Sequence, residues 1–322
     1  MRRRGFIAGI GATAALPRTA VAQRALPVIG FLNSGSPGPQ VDAYLAGLRQ
    51  AGFTDGANVR IEYRWANGQY DRLTAMAHDL VRLDVKVLGA FGGVHTAIAA
   101  KQAAPHIPIV FANGSDPQRF GLVQSLNRPG GNATGISFFA SELEAKRLEL
   151  LHEMVPAAGP IFVLLNSKSA NAANQRKEFE AAAVTLRRSI RLVEASHERD
   201  FQSGFVEARK AGAGGLVVAS DPYYFSRREQ LVALAASHAM PSMYEWRYFP
   251  LAGGLVSYGT SLGEAYRQAG IYTGRVLKGE SPADLPVVRS TRFELVINLK
   301  TAKALGIEMP TALLVRADEV IE

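Results

Sequence analysis

The chain has 322 residues, with 36 Lys and Arg, 28 Asp and Glu and no Cys, which excludes disulfides, a lipid-bearing cysteine and any cysteine-ligated metal. Its formal net charge of +8 is inflated by residues 1–22, which hold four arginines and no acid, so the rest of the chain stands at +4. The remaining basic residues are scattered along helical stretches, as in Lys146-Arg147 and Arg187-Arg188, and read as solvated helix faces and not as a nucleic-acid track.

The first element in chain order is an export signal. Arg2-Arg3-Arg4 precedes a Gly/Ala-rich apolar run over 5–16, and a small-x-small site, Ala20-Val21-Ala22, follows. Such a run is too short to span a bilayer, which takes roughly 20 apolar residues. Arg3-Arg4-Gly5-Phe6-Ile7 resembles the twin-arginine signal, with Arg2 where Ser or Thr is usual and Ala8 where Lys is common; Arg18 before the cleavage site agrees with it. Removal near Ala22 leaves a soluble chain starting at Gln23, which is expected in a periplasm. No later segment reaches the length of a membrane span, and about three hundred remaining residues predict two domains.

Beyond the signal, short apolar runs alternate with amphipathic stretches, the pattern of βα units feeding a parallel sheet. The first half predicts strands at 26–32, 59–65, 85–91 and 107–112, with helices at 40–51, 70–83 and 96–104 between them. The second half predicts helices at 143–155, 174–187, 201–210 and 227–238 among strands at 161–165, 190–195, 215–219, 242–246 and 255–258. Arg128-Pro129-Gly130-Gly131-Asn132, dense in turn residues, marks a boundary. The predicted fold is α/β, two doubly wound parallel-sheet lobes joined by a hinge. One lobe comprises 23–137 plus about 260–285, the other 138–259 plus about 286–322, with crossings near Ile136, near Ser257 and before Phe293.

One tripeptide occurs at a predicted strand end in each half: Ser115-Asp116-Pro117 and Ser220-Asp221-Pro222. Open α/β sheets bind ligands at the carboxyl ends of their strands. Asp-Pro is equally an ordinary helix start, with Asp as N-cap and Pro at the first helical position, so both readings stand at this point.

Motifs of catalysis are absent from the sequence. Gly9-Ile10-Gly11-Ala12-Thr13-Ala14 fits a dinucleotide pattern but lies inside the export signal and follows no strand. The six His show no metal-binding spacing, and there is no P-loop and no nucleophile elbow. No cofactor or metal is predicted. What the sequence offers instead is polar, glycine-flanked loops after strands: Asn33-Ser34-Gly35-Ser36, Gly92-Gly93-Val94-His95-Thr96, and Asn166-Ser167. Free N–H groups at a helix start, with a hydroxyl beside them, suit a carboxylate. Aromatic residues add to this, since ten of 27 fall between Tyr223 and Tyr272. They serve either a pocket or a core.

Several ordered segments together resemble the ABC-transporter substrate-binding proteins of the tryptophan-binding type, with a type I periplasmic-binding fold. They are Ile107-Pro108-Ile109-Val110-Phe111, Ser115-Asp116-Pro117, Arg128-Pro129-Gly130-Gly131-Asn132-Ala133-Thr134-Gly135, Lys146-Arg147-Leu148-Glu149-Leu150-Leu151, Ser257-Tyr258-Gly259, and the run from Phe293-Glu294-Leu295 through Ala317-Asp318-Glu319-Val320. Gly93-Val94-His95 departs from the family's more usual Thr-Pro-Ala, and Asn166 is followed by Ser and not Pro. The resemblance implies a monomer that is no enzyme, holding a small ligand between lobes and delivering it to an ABC permease. An amino acid, aromatic or branched, is the expected ligand, with Asp116 and Asp221 flanking its ammonium and Gly93, His95 and Thr96 receiving its carboxylate. Tyr244 and Tyr258 would border its side chain, and Asn33, Ser34 and Asn166 complete the expected set. The alternatives are an exported α/β enzyme acting on a small aromatic or carboxylate substrate, and a sugar-responsive regulator, against which the export signal argues.

Overall fold

A computed structural model describes residues 26–138, 143–155, 159–290 and 292–322; the expected export signal lies outside the described residues. Apolar runs with no polar face make strands buried on both sides, and parallel sheets are built from these. The first half contains β1 (Val28–Asn33), α1 (Gln40–Gln50), β2 (Arg60–Trp65), α2 (Leu73–Val81) after a 3₁₀ turn at Tyr70–Arg72, β3 (Val87–Phe91), α3 (Val94–Ala103), β4 (Ile109–Asn113) and β5 (Ala133–Ser137). The second half contains α4 (Glu144–Met154), β6 (Ile161–Leu165), α5 (Ala172–Leu186), β7 (Ile190–Glu194), α6 (Glu198–Lys210), β8 (Gly215–Val218), α7 (Pro222–Ser226), α8 (Arg228–Ser237), β9 (Ser242–Tyr244), α9 (Tyr248–Leu251) and β10 (Val256–Thr260). The chain closes with α10 (Leu262–Leu277), β11 (Val288–Arg289), β12 (Phe293–Asn298), α11 (Leu299–Ala304), α12 (Thr311–Arg316) and β13 (Glu319–Ile321).

These strands form two sheets. The six-stranded sheet has the order β11-β5-β4-β3-β1-β2, and the seven-stranded sheet the order β13-β12-β10-β9-β8-β6-β7. All described pairings are parallel except β10 with β12, where Tyr258 faces Leu295. That one antiparallel pair arises where β12 enters the second sheet from the first lobe. The chain passes between sheets after β5, after β10 and after β11. The sequence reading places residues from 286 onward in the second lobe; β11 corrects this, because Val288 pairs with Ile136 and Arg289 with Ser137 of the first sheet. A strand of two residues carries too little pattern to be seen in sequence.

Helix α10 follows the second lobe in sequence yet packs on the first, against α1. Two glycines permit the contact: a Cβ on Gly47 would lie 1.8 Å from the Arg267 carbonyl oxygen, and one on Gly270 would lie 2.1 Å from the Tyr44 carbonyl oxygen. The backbones therefore touch, and Tyr266 of α10 is carried to the floor of the space between the lobes, buried at 3% exposure. Apolar cores underlie each sheet, and a third cluster includes Phe138, Phe225, Trp246, Leu262 and Tyr266 where the two lobes meet.

Replacing Gly270 by Ala forces α10 off α1. We expect a loss of about 1–3 kcal/mol of stability, the usual cost of overpacking, seen as a lowered Tm. A Tm equal to that of the native chain would show that the close approach does not hold the two helices.

Candidate ligand-binding cleft

The carboxyl ends of β1, β3 and β4 face those of β6, β8 and β9 across a cleft whose cavity measures about 70 Å³. From the first lobe come Asn33, Gly92, Gly93, His95 and Ser115; from the second come Asn171, Ser220, Asp221, Phe225, Glu245 and Trp246. Phe138 closes the hinge end with Leu262 and Tyr266, and Tyr70 stands at the outer rim.

Asp221 is the best-braced polar group here. Pro222 opens α7 at its first position, and Asp221 caps that helix by accepting the Tyr223 N–H on Oδ1 at 2.9 Å. The same Oδ1 accepts from the Tyr70 hydroxyl at 2.8 Å and from Asn166 Nδ2 at 3.0 Å. The carboxyl is 3% exposed, and its Oδ2 has no hydrogen-bond partner in the protein. Burial raises its pKa, opposed by Asn166, Tyr70, the Tyr223 N–H and the nearby Ser169 hydroxyl. Because Tyr70 belongs to the first lobe and Asp221 to the second, that bond also ties the lobes together.

His95 makes the second tie. Its Nε2 accepts the Ala170 N–H at 2.8 Å and lies 3.1 Å from the Lys168 carbonyl, while its ring stacks on Tyr70 with centroids 4.6 Å apart. Burial lowers its pKa, so the neutral ring that accepts from Ala170 is favoured. Backbone approach matters as much as side chains. Gly93, at φ 103, would carry a Cβ 3.1 Å from Pro222 Cγ, and Gly68, at φ 82, one 2.3 Å from the Tyr223 ring. Only glycine fits a left-handed backbone pressed against the opposite lobe.

Glu245 is a second acid in the cleft. It is 4% exposed, and Oε1 has no partner. Behind it lies a buried pair, Glu144 and Arg147, with Arg147 Nη1 2.9 Å from Glu144 Oε2 and 2.7 Å from the Ser220 hydroxyl. Arg147 Nε donates to the Tyr258 carbonyl at 2.7 Å, and Gln175 Nε2 donates to Glu144 Oε1 at 2.8 Å. Burial pushes the Glu245 carboxyl up to about 8, against the pull of Arg147.

Of the residues singled out from sequence, Asn33, Gly93, His95 and Asp221 line the cleft together. Asn166 stands behind Asp221, and lines an adjoining groove beyond Tyr70. Ser34 donates to the Gly92 carbonyl and braces that loop, while Thr96 is buried in the first turn of α3 away from the cleft lining. Besides Ser34, Asn166 and Thr96, three more depart from expectation. Asp116 does not line the cleft; its Oδ1 accepts the Gln118 N–H at 2.9 Å, a local turn role. Tyr244 is fully buried in the second lobe, stacked on Phe249 at 4.5 Å, because strand alternation turns it away from the side that Glu245 faces. Tyr258 stacks on Phe293 at 6.2 Å and offers only its carbonyl, to Arg147. Sequence reasoning missed Tyr70, Glu245 and Tyr266. The density of aromatics near Trp246 was the available signal for that wall, and nothing local marked the two tyrosines or the glutamate.

Residues 26–321 match the family described as ABC transporter substrate binding protein. The chain belongs to this family. It is similar to a tyrosine-binding protein of Clostridioides difficile (strain R20291), 27% identical over 270 residues, which cover 84% of this chain and 77% of that one. Among solved structures it is similar to an ABC domain from Streptococcus pneumonia in complex with L-Trp, with TM-score 0.81 and 25% identity over 92% of this chain and 100% of that one. A ligand-free, open substrate-binding protein with adhesive properties from Clostridium difficile is 25% identical over 92% of this chain and 99% of the other, with TM-score 0.64. At equal identity and equal coverage of this chain, the likeness to the L-Trp complex is the greater by TM-score. The fold is of the type I periplasmic-binding kind, and family members and matched relatives are substrate-binding proteins and not enzymes. No helix among the described residues is long and apolar enough to cross a membrane, and among them no group of three His, Cys, Asp or Glu is placed to hold a metal.

The raised carboxyl of Glu245 makes folding stability of the ligand-free protein depend on pH. A carboxyl that titrates near 8 when folded and near 4.5 when unfolded favours the folded state most below pH 4.5, and that contribution is lost as pH rises through about 8. We expect Tm to fall between pH 5 and pH 8 more steeply in the native chain than in Glu245→Gln. Equal slopes in thermal melts would contradict the buried position of this acid.

Proposed function

We propose that this protein is the exported binding component of an ABC importer, capturing an amino acid with an aromatic side chain between its lobes and passing it to a permease. One observation carries the reading: a buried carboxylate, Asp221, with an unpartnered Oδ2 in an aromatic-walled cleft between lobes. A buried charge without a partner is costly, and an ammonium group brings that partner. Phe138, Phe225, Trp246 and Tyr266 supply apolar walls for a ring, which suits aromatic side chains. The ligand carboxylate then meets the N–H groups at the start of α3, where Gly92 and Gly93 let backbone come close. The ligands of the C. difficile and S. pneumonia relatives agree with this choice. Tyr70 and His95 hold the lobes shut once the ligand is in place, the hinge closure expected of such clefts.

The carboxyl-terminal side of residue 22 is where export would leave the chain, and the twin-arginine reading of residues 3–7 belongs to the same proposal.

Calorimetric titration with L-tyrosine, L-tryptophan and L-phenylalanine tests the reading. At least one is expected to bind one to one, and Asp221→Asn should weaken that binding by about 2–5 kcal/mol, since the ammonium is left buried beside a neutral amide. Asn still caps a helix, so the variant's Tm should stay close to that of the native chain. Unchanged affinity in Asp221→Asn, or no binding of any of the three, would sink the proposal.

A further inference from the structure

The polar atoms that the cleft leaves unpartnered are mostly acceptors. Gln40 Oε1, Asp221 Oδ2 and Glu245 Oε1 lack partners in the protein and belong to side chains that line the cleft, each with no more than 4% exposure. Against these three acceptors stands one unpartnered donor, Trp246 Nε1. Among the described residues, no Lys or Arg lines the cleft.

The nearest cations are engaged elsewhere. Arg147 sits behind Glu245, bonded to Glu144, to the Ser220 hydroxyl and to the Tyr258 carbonyl. Lys168 and Arg227 open onto the groove on the far side of Tyr70, where Lys168 Nζ lies 3.2 Å from His197 and Arg227 pairs with Glu198. Glu144 and Arg147 balance each other, and Arg147 also pulls on Glu245 from behind, so no cation stands on the ligand side of Asp221 and Glu245. A zwitterionic ligand adds no net charge to such a site. A ligand with an ammonium and no carboxylate supplies the missing positive charge and donates to acceptors of this kind.

We propose that the cleft recognises the ammonium group through two acids, Asp221 and Glu245, and that its ligand class is aromatic primary amines, with or without a carboxylate. The inference rests on the amino-acid reading above and extends it. Glu245 and Asp221 follow β9 and β8, which are neighbours in the sheet, so one ammonium can reach both carboxyls. Burial, Glu144 and Asp221 favour the protonated Glu245 carboxyl while Arg147 and the Ser220 hydroxyl favour the ionised one, so an ammonium placed against it draws it toward carboxylate and binding at neutral pH releases a proton.

The test compares L-tyrosine, tyramine and 3-(4-hydroxyphenyl)propanoate by calorimetric titration of the native protein at pH 7, in two buffers of different ionisation enthalpy. Tyramine should bind within tenfold of L-tyrosine, the propanoate at least a hundredfold more weakly, and the buffer dependence should report proton release with tyramine. Glu245→Gln should weaken tyramine at least tenfold with little change in Tm. Tyramine binding more than tenfold weaker than L-tyrosine, or propanoate binding within a hundredfold, overturns the inference and leaves the amino-acid reading standing. Tyramine binding without any amino acid keeps the inference and removes that reading; no binding of either removes both. Should Glu245→Gln not fold, the proton count on the native protein decides Glu245, and no release would remove it as an anchor.

Discussion

The arrangement of this molecule depends on one buried carboxyl at the meeting of two lobes. Three donors converge on a single oxygen of Asp221, and each comes from a different part of the chain: the Tyr223 N–H at the start of its own helix, Asn166 from the adjacent strand end, and Tyr70 from the other lobe. The first two fix the carboxyl on the second lobe whatever the first lobe does. The third exists only when the lobes are together. Holding one oxygen so firmly leaves the other turned to the cleft without a protein partner, and a buried half-satisfied carboxyl favours whichever state brings it a cation. On the proposed function, ligand affinity and lobe closure answer the same electrostatic need.

Around that carboxyl the second lobe is polar where a core would ordinarily be apolar. Glu144, Arg147 and Gln175 are each at most 1% exposed, and their bonds converge on Ser220, the residue before Asp221. Burying an ion pair brings little net stability, since desolvation offsets the Coulombic gain. What it does supply is position: Arg147 links the Ser220 loop to the Tyr258 carbonyl on the hinge strand β10, and it lowers the charge cost of placing Glu245 alongside. Side chains held by packed neighbours of this kind stay within a narrow geometry.

The strands were legible in the sequence because parallel strands are continuous apolar runs, and Val28–Asn33, Ile109–Asn113 and Ile161–Leu165 each carry that pattern through. Helix α10 was not assigned, and its lobe was legible only through the resemblance; the small residues that let it touch α1 have meaning only once the two helices are face to face. The repeated Ser-Asp-Pro shows the same limit more sharply. Asp116 and Asp221 share the Ser before and the Pro after, each three residues past a strand, yet one serves a local turn and the other lines the cleft. Tyr70 and Asn166, far away in sequence, make the difference. Glu245 looks like a surface acid after an apolar strand; only the tertiary placement of Arg147 and Glu144 beneath it shows that it is buried.

The most direct measurement is a crystal structure of the protein grown with L-tyrosine. The ligand's nitrogen is expected within hydrogen-bond distance of Asp221 Oδ2, its ring between Phe225, Trp246 and Tyr266, and the Tyr70 hydroxyl still on Asp221 Oδ1. A ligand whose carboxylate faces Asp221, or one seated outside the cleft between the lobes, would contradict the proposed function.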